Sequence, residues 1–531
     1  MPVLLRRSSD YPGAGAFDAW FAVTGTEGRG PADKKVAELG QGLDDAFNSI
    51  CPEWWSAGKA LADGPGAELA YATICSCFAS DFGLMMAWAR LTEDAARKKT
   101  VTLVLCDDPW LFRHLAALPG VKVGKAPGLW PVVTKLRLRG ITARLGLIGR
   151  LIFTALATRR QRVAHRHGDA AILVYGHPRS TADGYDDYFG PLMRDIPALK
   201  RLLHTDCGTA QAAELAADGR TASLHAWGSP WRTPGLLFQR WRPKREHLEG
   251  KNGWLVRRAA DNEGSGAAHA MNVWQRQCQK SWLARVRPMA VAWPWENYGW
   301  ERDLCRQARR LGVATIGYQH TAIGPHQLNH SPITNVDGEA SLPDVILCDG
   351  PAYRNQLIEW GIPAGRLAIG GSLRIDIARN DLYNPLGPVF VALSGVLAIA
   401  RQQIEAARKI AASGRRVLIK EHPMYPIEIE DTDSISKTDL QLSKQAGLSA
   451  VLYSTGISGL EAILSGVPAV RLLLEDRIAI DVLPATIKAP AAAGDIIADT
   501  VARIQKPESC DWDQVLSPVD MKFWRSVLTP K

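Results

Sequence analysis

The sequence predicts an α/β protein with two doubly wound domains facing a cleft. Three observations carry this. Short apolar runs of strand length alternate with helix-like stretches, as in parallel sheets with crossover helices. Several of those runs end in small or polar residues. Val417-Leu418-Ile419 runs into Lys420-Glu421-His422-Pro423, and Ala450-Val451-Leu452 leads through Tyr453 into Ser454-Thr455-Gly456. Finally, 531 residues exceed what one hydrophobic core can organise, so two or three domains are expected.

In chain order, residues 1–60 are rich in Gly, Pro and charge and read as an irregular lead-in. Residues 67–91 read as a helix, 99–107 as a buried strand and 109–118 as a helix. Residues 141–158 are helical, with Leu145, Leu147, Ile148, Leu151, Ile152 and Leu156 dominating one side, and run into Arg159-Arg160-Gln161-Arg162. A strand at 170–175 leads to a polar loop holding Asp186 and Asp187. Strand 289–293 ends at Pro294-Trp295-Glu296-Asn297, and a helix follows from Glu301 to Leu311. Strand 314–318 ends at Gln319-His320-Thr321. The domain boundary is placed at 335–345. It separates an acceptor-side domain, 61–340, with a basic amphipathic insertion at about 120–168, from a nucleotide-binding domain, 341–531. The latter begins with strands at 341–349, 366–369 and 389–393, the last followed by Ser394-Gly395.

Composition narrows the class. Hydrophobic residues make up 46% and charged residues 22%, ordinary for a globular chain. No run reaches the ~18 consecutive apolar residues of a membrane span, and the first fifteen residues lack the apolar core of a signal peptide. Nine scattered cysteines, with one CxC pair at Cys75 and Cys77, form neither a metal site nor a disulfide framework and read as reduced thiols. A cytoplasmic protein is expected. Most of the eighteen tryptophans are expected to be packing residues. The net charge of +9 is uneven: residues 109–168 contain no Asp or Glu and twelve Lys or Arg. This stretch has three readings: a solvated face over a core helix, a peripheral membrane contact, or a nucleic-acid site. No recognition motif supports the last.

Ligands of open α/β sheets bind beyond the carboxyl ends of the strands. At a strand-to-helix turn, free N–H groups and small residues let a phosphate approach the backbone. Ser454, Thr455 and Gly456 occupy such a turn. His422 and Lys420 supply donors from a second strand end, Ser394 lies at a third, and Glu461 follows on the helix as a candidate ribose ligand. The plain alternatives are an N-cap, a solvated strand end and an ion-paired carboxylate. On the opposite side Glu296, Asp187 and the pair Asp107-Asp108 are candidate acids or bases, and His320 sits at a strand end facing the same crevice. Glu296 lies between aromatics that desolvate it. No DxD constellation calls for a metal, so none is required.

The HP and Ser-Thr arrangement resembles the C-terminal domain of GT-B-type glycosyltransferases of bacterial surface polysaccharides. Within these it is most similar to sialyltransferases and Kdo transferases, which use CMP-activated acidic sugars. The resemblance covers the last third of the chain. A weaker one extends to YDDYFG, WPWENYGWERDL and GYQHT, which are similar to surface-carbohydrate biosynthesis proteins. It implies a GT-B-like fold of two Rossmann-like domains. It also implies a CMP phosphate held by His422-Pro423 and Ser454-Thr455, and a donor such as CMP-Kdo or another CMP-nonulosonate. The acceptor would be a lipopolysaccharide or capsule glycan, lipid-linked at the inner membrane. The chain differs from the sialyltransferase pattern of two acidic residues followed by glycine, because Tyr188 and Phe189 separate Asp187 from Gly190. The rival readings are a sugar-nucleotide 2-epimerase, a CDP-alcohol phosphotransferase and a non-catalytic scaffold of a polysaccharide assembly complex.

Overall fold

The computed structural model describes residues 2–375, 382–422, 427, 429–508 and 511–529. Among them, strands form three sheets in which every strand pairing is parallel. The N-terminal layer holds β1 (Val3–Arg6), β2 (Ala19–Ala22), β3 (Thr102–Leu105) and β4 (Val121–Val123), in the order β2-β3-β1-β4.

The first lobe holds β5 (Ala170–Val174), β6 (Lys200–Leu203), β7 (Thr221–Ser223), β8 (Ala290–Pro294), β9 (Ala314–Tyr318), β10 (Val345–Cys348) and β11 (Leu367–Ile369). Their order is β11-β10-β9-β8-β5-β6-β7. The second lobe holds β12 (Val389–Ala392), β13 (Val417–Lys420), β14 (Ile435–Lys437), β15 (Ala450–Tyr453), β16 (Ala469–Leu473) and β17 (Ala491–Ala493), ordered β14-β13-β12-β15-β16-β17. Central parallel strands are covered on both faces and so are apolar throughout. Every residue of β5, β8, β15 and β16 is buried.

Both lobes are doubly wound. In each, the chain starts at a central strand, builds to one edge, returns, and builds to the other. The order reverses between β5 and β8 in the first lobe and between β12 and β15 in the second, the topological switch points where such sheets bind ligands. The two lobes face a cleft, so the α/β, GT-B-like fold class expected from the sequence is the one observed.

The structure corrects three sequence expectations about organisation. Residues 1–60 are not irregular: they supply β1, β2 and the 23-residue helix Leu39–Leu61. That helix buries Leu43, Phe47, Ile50 and Trp54 at helical spacing. Second, β10 and β11 pair with β9 in the first lobe. The chain therefore passes to the second lobe after Ile369, later than 335–345. The strand–helix alternation continues unchanged across that point, so it does not reveal which sheet a strand joins. Third, the helix expected at 67–91 begins at Phe82, after turns in which Cys75 takes a left-handed backbone (φ 59°).

The layers are tied together. Asp44 on the Leu39–Leu61 helix accepts two hydrogen bonds from Arg471 on β16, at 3.1 and 3.0 Å. The helix Met521–Leu528 returns to the first lobe. There the Trp524 indole N–H donates to the Gly370 carbonyl at 3.0 Å, and its ring stands edge-on to Phe189 and Tyr318. Trp54, Trp88, Trp241, Trp274, Trp282, Trp293, Trp295 and Trp524 are all fully buried.

Candidate functional site

Register brings the candidate residues level. Pro294 at the end of β8 lies opposite Tyr318 at the end of β9, so Glu296 and His320, each two residues further on, lie side by side. In the second lobe Ala392 lies opposite Lys420, and Val389 opposite both Val417 and Ala450. Ser394, His422 and Thr455 therefore all sit two residues beyond level strand ends.

The cleft contains adjoining cavities. One, of about 620 Å³, is lined by Glu296, Tyr298 and His320 on one side and by Thr455 and Gly456 on the other, with Tyr188 and Arg374 between. A second, of about 510 Å³, shares His320 and Arg374 with it and adds Arg179, Lys420, His422 and Glu461. A third, of about 820 Å³, meets the first at Phe78, Ala79 and Thr455 and reaches Ser394.

The first-lobe wall is tightly built around Glu296. Its backbone N–H donates to Glu301 Oε2 at 3.0 Å, and its carbonyl accepts from Asn329 Nδ2 at 2.7 Å. Asn297 takes a left-handed backbone (φ 59°), which costs a non-glycine residue conformational energy. Its buried amide holds that turn by donating to the Asn329 and Ser331 carbonyls and to Asn335 Oδ1. Glu301, at the start of helix Gly299–Arg310, also accepts from the Asn297 N–H and the Trp293 indole, each at 3.0 Å.

These carboxyls titrate unusually. Burial raises Glu296 to about 7, partly opposed by a hydrogen bond from Tyr298 and by Arg374. Burial raises Glu301 to about 8, and the neighbouring Glu296 charge pushes the same way. Burial and the Arg374 charge hold His320 well below its ordinary value, so the imidazole is neutral. Its Nε2 lies 3.8 Å from Glu296 Oε1. Glu296 keeps about a quarter of its side-chain surface open to the cleft (26%). A partly open carboxyl titrating near neutrality beside a neutral imidazole is suited to taking a proton from a hydroxyl.

Arg374 lies on the segment that crosses between the lobes. The buried Tyr318 hydroxyl donates to Asp349 Oδ1 at 2.9 Å and accepts from the Leu373 and Arg374 N–H groups at 2.8 and 3.3 Å. This fixes the backbone from which the Arg374 guanidinium reaches over the Tyr188 ring, 4.6 Å from its centre.

On the second-lobe wall, Gly456 has φ 150°, a conformation that L side chains rarely adopt. The His422 ring covers Gly395 so closely that a Cβ there would sit 3.1 Å from it. Lys420 lines the second cavity and donates from Nζ to the Asp439 carbonyl at 2.8 Å. Burial raises Glu461 above its ordinary value.

No family model matches the chain, and no curated protein matches it. Solved structures do. The chain is similar to the glycosyltransferase of kitacinnamycin at 12% identity, over 68% of this chain and 90% of that one, with a TM-score of 0.36. It is similar to a UDP-N-acetylglucosamine 2-epimerase from Rickettsia bellii (12%, 68% and 94%, 0.35). It is also similar to the UDP-GlcNAc 2-epimerase from Neisseria meningitidis bound to UDP-GlcNAc (11%, 67% and 99%, 0.36).

The structure gathers some sequence candidates and turns others away. Glu296, His320, Thr455 and Gly456 share one cavity; Lys420, His422 and Glu461 share the next. Pro423 lies outside the described residues. The Ser454 hydroxyl is buried and donates to the Leu472 carbonyl at 3.2 Å. Thr455 Oγ1 accepts from the Ile480 N–H at 3.2 Å. Ser394 faces the third cavity, where its hydroxyl accepts from the Val396 N–H. Asp187 is 3% exposed and is engaged by Arg179 at 2.8 Å and His177 at 3.3 Å, so it aims those side chains. Asp186 is wholly buried and accepts from the Tyr188 and Phe189 N–H groups. Asp107 binds Ser8, and Asp108 caps helix Pro109–Ala116 and pairs with Arg258.

The sequence reading missed Arg374, Arg179 and Glu301. Glu301 was visible as an acidic residue five positions after Glu296, at the start of a helix. Nothing local marked Arg374, whose position depends on the crossing between the lobes. Among the described residues one trio has metal-ligand geometry, the surface group Asp63, Glu246 and His247, and Lys244 already pairs with Asp63 at 2.6 Å.

Proposed function

We propose that this chain is a glycosyltransferase that uses a nucleotide-sugar donor. The observation that carries the reading is Glu296. Its carboxyl sits at the first-lobe switch point on a clamped backbone, titrates near 7, and faces the Thr455-Gly456 turn of the second-lobe switch point across one cavity. In this reading Glu296 takes the proton from the acceptor hydroxyl as that oxygen attacks the anomeric carbon. The bond to the leaving phosphate breaks, and the phosphate carries away the electron pair. Arg374, Arg179, Lys420 and His422 line the adjoining cavity and stabilise that departing charge. The Tyr188 and Tyr298 rings and the Trp300 indole line the first cavity and offer stacking surfaces for sugar rings.

The donor we favour is a CMP-activated acidic sugar. Support comes from the His422 position and from the two arginines, which suit a sugar carboxylate as well as a phosphate. The inward-turned Ser454 hydroxyl argues that the phosphate would rest on backbone N–H groups and cations rather than on both hydroxyls. The acceptor would be a surface-glycan hydroxyl.

Thermal-shift titration with CMP, CDP, UMP, UDP and GDP tests the donor site, because a ligand of the folded state raises the melting temperature with occupancy. Stabilisation by CMP that is weakened in Arg374→Ala supports the reading. A UDP preference moves the donor class, and interconversion of a UDP-sugar without any acceptor would make the protein an epimerase. A folded protein that responds to none of the five nucleotides overturns the enzyme reading in favour of a scaffold.

A further inference from the structure

The longest helix in the described structure has two opposed apolar faces. Leu129–Thr158 spans thirty residues, ~45 Å at 1.5 Å per residue. Its inner face, with Val133, Gly140, Leu147, Leu151 and Ala155, is buried against the first lobe. Arg144 on that face is buried too, donating to the Leu237 carbonyl at 2.9 Å and to the Ser265 carbonyl. The sequence assigns Leu145, Leu147, Ile148, Leu151, Ile152 and Leu156 to one side. The structure instead buries Leu147 and Leu151 and turns Leu145 and Leu156 outward.

The outer face is apolar at helical spacing. Trp130, Leu138, Ile141, Leu145, Phe153 and Leu156 are 42–74% exposed. Segment Pro230–Phe238, packed beside the helix, adds exposed Trp231 and Phe238. A surface helix ordinarily shows water its polar side, so an apolar outer stripe this long calls for an occupant.

Charge selects the occupant. Lys135, Arg139, Arg150, Arg159 and Arg160 flank the stripe, all exposed, and no acidic residue occurs between Pro109 and Gly168. A second copy of the chain docked face to face would bring these like charges together. A bilayer of anionic phospholipid answers both features: the stripe enters the acyl boundary, and the Lys and Arg meet the headgroups. Within Leu129–Ala164 an 18-residue window reaches a mean hydropathy of 1.4, apolar and long enough by composition alone to cross a membrane. The packed inner face and buried Arg144 make this a helix that lies on the surface instead.

We propose that the outer face of Leu129–Thr158 docks the protein on anionic membranes. The proposal goes beyond the enzymatic reading, and its test uses neither nucleotide nor turnover, so either can fail alone. The experiment is co-sedimentation of the full chain with phosphatidylcholine vesicles, with and without about 30% phosphatidylglycerol, at low and high salt. Two variants accompany it, Leu145→Glu/Phe153→Glu/Leu156→Glu and Arg150→Glu/Arg159→Glu/Arg160→Glu. Their targets are exposed, and circular dichroism checks that both fold. The expected result is binding to the anionic vesicles that weakens with salt, with partitioning down at least tenfold in each variant. A folded wild-type protein that sediments with neither vesicle overturns the proposal. Equal binding to neutral vesicles, untouched by charge reversal, overturns it as well. So does a wild-type dimer that the glutamate variant converts to monomer, which would make the face a contact between copies.

Discussion

On the first-lobe wall of the cleft, residues 294–302 are held from several sides at once. Glu301 accepts three hydrogen bonds, the Asn297 amide spans a left-handed turn, and Asn329 holds the Glu296 carbonyl. On the second-lobe wall, the Ser454-Thr455-Gly456 turn spends its hydroxyls on its own framework and presents backbone and glycine to the cleft, with cations at its flank. One wall is built to hold a single side chain in one place; the other is built to let a charged group come close. Proton transfer needs a fixed atom at hydrogen-bond distance, whereas phosphate binding tolerates several donors around a diffuse charge. Under the proposed function, the contrast between the walls matches those two requirements.

The sharpest way to break the comparison is Glu296→Gln. Turnover should fall at least about 100-fold, the usual worth of a positioned base, while the thermal shift produced by nucleotide stays as in wild type. Loss of the thermal shift together with turnover would place Glu296 in binding instead. The pH profile sharpens the same point: a base must be ionised to act, so activity should fall as pH drops below about 7, the value to which burial raises Glu296.

Asn297→Ala should destabilise the fold by about 3 kcal/mol in denaturant unfolding. It orphans buried carbonyls and leaves a left-handed residue without its anchor. Asn297→Gly relieves the backbone strain and should cost about 1 kcal/mol less. Equal losses would mean that the turn is unstrained.

Glu301 tests the electrostatics of the wall. Its folded value, raised to about 8, lies above the ordinary glutamate value of 4.5, so the folded state binds more protons than the unfolded one between those values. Stability should therefore decline as pH rises from about 5 to 8. Glu301→Gln should flatten that decline, by on the order of 2 kcal/mol at pH 8. Parallel melting curves for the two proteins across that range would refute it.

The second wall should respond more mildly. Arg374→Ala should raise the donor KM about tenfold, in keeping with one charge-assisted hydrogen bond, and change kcat less. Gly456→Ala meets no atom within 4 Å, so only its backbone conformation opposes the change. A loss of about 1 kcal/mol is expected.

Much of this was legible in the chain. The strand ends carrying Glu296, His320, His422 and Thr455 were visible because a parallel strand buried on both faces is an apolar run, and its end is where polarity returns. The aromatic surroundings of Glu296 also foretold a raised carboxyl. Less legible were Asp187 and Ser454, which have the right residue types at plausible places. Whether a hydroxyl or carboxyl faces a cleft or its own framework depends on partners such as Arg179 and Leu472, set by packing rather than by sequence neighbours.

By itself the sequence determined that this is an α/β chain of parallel sheets, with candidate chemistry at the strand ends and a long basic, apolar stretch between Pro109 and Gly168. Those properties follow from local periodicity and composition, which are read along the chain. Only the tertiary structure decided that Val345–Cys348 and Leu367–Ile369 belong to the first lobe, that Glu296 stands level with His320, that Arg374 reaches both cavities, and that Leu145, Phe153 and Leu156 point outward. Each of these depends on which strand pairs with which and which helix face finds a partner, and such choices are made by contacts far apart in the chain.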